Sequence, residues 1–184
     1  MDLSAVILHL RDHTPLFEGR VAGAAEYAKG VEDQTWMALP AAYLVPEDED
    51  AEPDTAQSGG LEQEVTIRFG VVVALDNTAD RRGQTASAQY HAVRMALFRA
   101  LLNWMPPPPA GDVRRSAKGL YYVEGALQGF DRKRLFYKWT FALDTIITDA
   151  DGWQETLPDL EAVTVTTKVP PDTDPVVAEF LTQP

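Results

Sequence analysis

The stretch Lys133–Thr148, KRLFYKWTFALDTIIT, decides the fold. Its alternate positions Leu135, Tyr137, Trp139, Phe141 and Leu143 are all large and apolar. Successive side chains on a strand point to opposite faces, so these five share one face, while Arg134, Phe136, Lys138, Thr140, Ala142 and Asp144 share the other. A helix would scatter the same residues around its circumference, and the aromatic and β-branched content also favours a strand. The reading is a long sheet strand whose aromatic face is covered by a helix or a second layer.

Working outward, Leu120–Phe130 alternates as well, and only Asp131 and Arg132 separate it from the first stretch, so the two form an antiparallel hairpin. Leu61–Asp76 starts with alternation (Val65, Ile67, Phe69 against Glu64, Thr66, Arg68) and becomes continuously apolar from Val71 to Leu75. A strand half solvated at one end and buried on both faces at the other accounts for that change. Asn77–Gly83 turns the chain, and Thr85 or Ser87 caps a helix with Tyr90, Val93, Leu97, Ala100, Leu101 and Trp104 on one face. That helix is the natural cover for the aromatic strand face. Pro106–Pro109 end it and predict a short polyproline II spacer, with docking to a proline-recognition domain as the alternative.

Towards the N-terminus, Leu3, Val6, Ile7 and Leu10 recur at helical spacing behind Asp2, and Pro15 ends this helix near Asp12–Thr14. His9 and His13 lie four apart on one helix flank. A metal site would need a third ligand that the neighbourhood lacks, so a solvated flank is expected. A second helix is predicted from Ala22 to Lys29, stopped by Gly30, and a short buried strand within Met37–Val45, bracketed by Pro40 and Pro46. Pro46–Gly60 carries six acids and reads as a solvated loop without the pattern of a calcium loop. Val163, Val165 and Val169 give one more candidate strand before a proline-rich acidic tail at Pro170–Pro184.

The whole is predicted to be one α/β domain of α+β type: a mostly antiparallel mixed sheet of about four or five strands with two or three helices packed on it. Residues 1–148 form the domain and 149–184 an extension. Sixteen basic against 28 acidic residues give a formal charge of −12, which disfavours sequence-independent nucleic-acid binding through phosphate neutralisation. The 184-residue chain has no cysteine, which removes disulfides and thiolate chemistry and fits a reducing cytoplasm. The first residues lack the basic region of a signal peptide, and no apolar run reaches the roughly 20 residues of a membrane helix, so no membrane partner is expected. No GxSxG elbow, Walker loop or GxGxxG occurs, and the histidines His9, His13 and His91 fall on helix flanks. No catalytic residue, cofactor or metal ligand is therefore assigned, and an enzyme is not expected.

The order of these parts resembles the tail terminator (tail completion) proteins of long-tailed bacteriophages and prophages. The residues that carry the likeness are the opening helix with GRVAGAAEYA, the strand AAYLVPEDE, the strand EVTIRFGVVVALDN, the helix running into LLNWMPPPP, and the hairpin GLYYVEGALQGFDRKRLFYKWTFALDTII. It covers Met1–Thr148. The resemblance implies a virion protein that closes into a homo-oligomeric ring, commonly a hexamer, at the head-proximal end of the tail tube. Its partners would be copies of itself, the tail tube protein and the head connector or neck protein, and DNA would pass through an acid-lined lumen without specific binding. The expected subunit or partner contacts are Arg114, Arg115, Arg132, Arg134, Phe136 and Lys138. The alternatives are a head–tail connector or neck protein and, from another class, a small hydrolase or ligand-binding domain.

Overall fold

A computed structural model describes residues 1–56, 60–78, 84–108, 118–130, 133–153, 163–166 and 177–180 of the chain. The first compact unit, Met1–Asp151, is built on five strands. These are β1 (Val21–Gly23), β2 (Ala41–Ala51), β3 (Glu62–Asp76), β4 (Tyr121–Phe130) and β5 (Arg134–Thr148), in the sheet order β1-β2-β3-β5-β4. All neighbours are antiparallel except β1 and β2, so the sheet is mixed, as expected. Three helices accompany it: α1 (Leu3–His13), α2 (Ala24–Asp33) and α3 (Gln84–Leu101). The second unit, Gly152–Pro184, contains an antiparallel two-stranded ribbon of β6 (Val163–Thr166) and β7 (Val177–Phe180). β7 lies in the stretch read from sequence as a tail.

β5 sits between β3 and β4, and its register to β3 runs unbroken from Leu75↔Leu135 through Val71↔Trp139 to Ile67↔Leu143. Each of these pairs points to the same face. There Leu75, Leu135, Val71, Trp139 and Leu143 join Val93, Leu97 and Leu101 of α3 and Val6 and Leu10 of α1 in the main core. Tyr90 stacks on Trp139 with ring centroids 5.4 Å apart and meets the edge of Tyr137 at 4.8 Å. The aromatic strand face is thus covered by the helix expected to cover it. Full burial of each such side chain contributes about 1.5–3 kcal/mol, and this face supplies most of the drive for folding. α1 begins with the Asp2 carboxylate accepting from the Ser4 N–H at 2.8 Å, and Arg11 clasps the Val21 carbonyl with two donors at 2.9 and 2.7 Å, fixing α1 to β1.

Three expectations need correction. Gly30 does not stop α2, which continues to Asp33. The Trp36 indole lies against Gly30 so closely that a Cβ there would stand 2.5 Å from Cε3. The glycine is a seat for a ring from the following loop, and αL Gln34, with φ of 56°, ends the helix instead. β2 does not end at Val45 but runs through the acidic residues to Ala51, because β3 continues beside it and Arg68 bonds both Asp48 and Asp50. Finally, Trp104 is not on α3. The helix ends at Leu101, Asn103 turns at φ of 61°, and the indole folds back onto His9 with centroids 3.8 Å apart.

Candidate interaction surface

The sheet face opposite the main core has two parts. At one end Tyr43, Val72, Ala74 and Phe136 form a small apolar cluster with Tyr27 of α2 and Trp36. Tyr43 is fully buried there, its hydroxyl accepts from the Met37 N–H at 3.3 Å, and burial raises its pKa. At the other end the face is polar. A bulge in β2 between Pro46 and Glu49 brings both Glu47 and Asp48 to this face, where strict alternation would separate them. Glu47 pairs with Lys138 Nζ at 2.6 Å and accepts from the Thr140 hydroxyl at 3.2 Å. Gly70 lies beneath that ion pair, where a Cβ would come within 2.7 Å of the Glu47 carboxylate. Asp144 accepts from the Thr66 hydroxyl at 2.9 Å and from the Tyr121 hydroxyl at 2.8 Å. Burial first, and the Asp144 carboxylate second, raise the pKa of Tyr121.

These groups satisfy one another across four strands. The arrangement holds surface charge in fixed positions. Among the described residues no three His, Asp or Glu side chains gather to hold a metal, and no helix is long and apolar enough to cross a membrane. Concavities among the described residues include one of about 510 Å³ beside Asn103, Lys118, Tyr121 and Asp144 and one of about 380 Å³ beside Glu52, Thr55 and Glu64.

Of the residues expected to make contacts, Arg134, Phe136 and Lys138 lie together on this second face. Each has an intramolecular neighbour: the Trp36 ring lies 5.5 Å from the Arg134 guanidinium carbon and 4.9 Å from the Phe136 ring, and Glu47 takes Lys138. Arg114, Arg115 and Arg132 lie outside the described residues. Sequence reasoning passed over the edge at β4, while the prolines bracketing the Met37–Val45 strand favoured a sheet edge or a strand start there. Among the described residues β4 is flanked by β5 alone, and it exposes Val123, Leu127 and Phe130, the last 71% accessible. At the opposite edge β1 covers only Ala42–Leu44 of β2, leaving the outer side of Val45–Ala51 without a neighbouring strand among the described residues. The signal for the first was in the sequence, since isolated apolar residues on a bulged, glycine-bearing strand mark an edge.

His9 is not the solvated flank residue expected. It is half-buried, stacked between Trp104 and His13, with Nε2 at 2.9 Å from the Ala100 carbonyl. Burial, opposed by that carbonyl, lowers its pKa below the usual 6.5. The folded state thus favours neutral imidazole, so the stability this provides is complete above pH 6.5 and is lost as pH falls through the lowered value. Thermal melts between pH 7.5 and 5 are expected to show the Met1–Asp151 unit losing stability on acidification, with a shallower fall in His9→Phe, which keeps the stack. Equal slopes in the two proteins would count against this.

A family model described as "Phage tail terminator protein" matches residues 1–168. Among solved structures, a chain from one described as "Virion of native gene transfer agent (GTA) particle" aligns with a TM-score of 0.51 at 16% identity, over 78% of this chain and 92% of that one. At that identity the likeness is one of fold. No curated protein matches the chain.

Proposed function

The chain belongs to the phage tail terminator family, and we propose that it caps the head-proximal end of a tail tube, stops tube growth and offers its outer surface to the head connector. Membership makes it a structural component of the virion rather than a member of an enzyme family. The family match over residues 1–168 is the observation that carries the finer reading. A homo-oligomeric ring, six subunits in the first instance, supplies the cap, with the tube protein on one side and the neck protein on the other. Arg114, Arg115, Arg132, Arg134, Phe136 and Lys138 are offered to these partners. Residues 149–184 act as an extension of the 1–148 domain. With 28 acidic against 16 basic residues, a ring lumen repels DNA and lets it slide.

Electron microscopy of particles made without this protein tests the reading. Overlong tubes are expected. Tubes of normal length beside unjoined heads would instead identify a neck component.

A further inference from the structure

Trp153 is 84% exposed, the most exposed of the large apolar side chains among the described residues. An indole is the largest apolar side chain and carries a single N–H donor, and in interfaces such a group acts as an anchor that fills a pocket on the partner. The chain that leads to it is fixed. The Asp149 carboxylate accepts from the Leu61 N–H and the Asp151 carboxylate from the Thr148 N–H, each at 2.8 Å. Trp153 follows two residues later, so little further backbone freedom is lost when its ring is held.

A receptor of matching chemistry lies on the Met1–Asp151 unit, in the groove of about 510 Å³. Buried Leu120 lines it together with Leu102 and Tyr121, which are 39% and 37% exposed, and Asp144 stands at its wall. Its two sides are tied together, because the Asn103 N–H donates to the Leu120 carbonyl at 2.8 Å and the Leu120 N–H to the Trp104 carbonyl at 2.9 Å. The groove is therefore preformed, and its volume falls within the range of about 300–1,000 Å³ found for clefts that enclose small ligands. Asp144 accepts from the Thr66 and Tyr121 hydroxyls, and a carboxylate offers about four acceptor positions, so it retains capacity for an indole N–H.

We propose that Trp153 of one copy fills the groove beside Leu102 and Asp144 of the next, as the anchor of the contact between subunits. The inference rests on the ring reading above and names its joint. Indole and groove are different patches of one chain, so a copy that gives its indole to one neighbour receives that of another in its own groove. Head-to-tail contacts of this kind close into rings. The apolar lining matches the ring faces, and the one polar group an indole needs, an acceptor, is in place. No ion pair is involved, so the contact is expected to persist in high salt, where joints held by surface charge weaken.

The test uses full-length variants. Trp153→Ala removes the anchor, Leu102→Arg obstructs the groove, and Trp153→Phe, which keeps a ring for the groove, is the blank against which Trp153 fluorescence is read. Both positions are exposed, so thermal melts should stay near wild type. In light scattering, Trp153→Ala and Leu102→Arg are expected to need more than about tenfold higher concentration to assemble. Acrylamide quenching of wild type, less that of Trp153→Phe, is expected to find Trp153 open in dilute protein, shielded in the assembled protein, and open in Leu102→Arg at the same concentration. Wild-type rings in which Trp153 stays open, an indole already shielded in the dilute monomer, shielding only on tube ends, or unimpaired assembly of either variant would overturn this joint while leaving the terminator reading intact. Failure of the wild-type protein to form a ring in solution or on tube ends would remove the ring itself, and the joint with it.

Discussion

Replacing Trp139 by alanine is expected to destabilise the protein by about 3–5 kcal/mol, and replacing it by phenylalanine by no more than about 1–2 kcal/mol. Trp139 is the largest fully buried side chain, held between Tyr90 and Tyr137 on β5. Alanine leaves a cavity that the strands β3 and β4 on either side cannot close. Phenylalanine loses part of the same volume, but it also removes the indole Nε1, a buried donor without an acceptor among the described residues. An unpaired buried donor costs about 1–3 kcal/mol, which offsets the lost packing. Denaturant melts provide the comparison, and in thermal melts the alanine variant should fall by on the order of 10 °C. If phenylalanine proved as damaging as alanine, the indole nitrogen must have an acceptor, and this account of the centre of the core would fail.

Gly119→Ala is expected to cost about 2–4 kcal/mol, a large effect for one added methyl at a position outside any helix or strand. A Cβ on Gly119 would run into the backbone carbonyl of Asn103. That backbone cannot retreat, because the Asn103 N–H donates to the Leu120 carbonyl at 2.8 Å and the Leu120 N–H donates to the Trp104 carbonyl at 2.9 Å. Accommodating the methyl therefore sacrifices at least one of these bonds. Gly129→Ala serves as the control: nothing lies within 4 Å of a Cβ there, and it should be close to neutral. Equal stabilities for the two variants would show that the approach at Gly119 is looser than described.

What could be read from the sequence follows from the range of the forces involved. β5 was legible because its five large apolar residues and its two neighbouring strands are governed by alternation, a local rule. α2 was cut short at Gly30 because the reason for that glycine is Trp36, whose ring position depends on the fold. The acidic half of β2 looked like a loop because its acids oppose strand propensity, and only β3, with Arg68 between Asp48 and Asp50, reverses that. Lys138 was legible as a base on the second face, but its partner Glu47 lies on another strand far away in the chain.

The backbone clamp between Asn103, Trp104 and Leu120 also fixes the points at which the chain leaves α3 and enters β4. Once the ends of a loop are fixed, its length enters only through chain entropy, and doubling that length costs only about 0.6 kcal/mol. An affinity peptide inserted after the proline run should therefore disturb the domain less than a single methyl at Gly119. Intolerance of a methyl at Gly119 and tolerance of added length are thus expected within a few residues of each other, because the clamp fixes the ends of the connection and not its length.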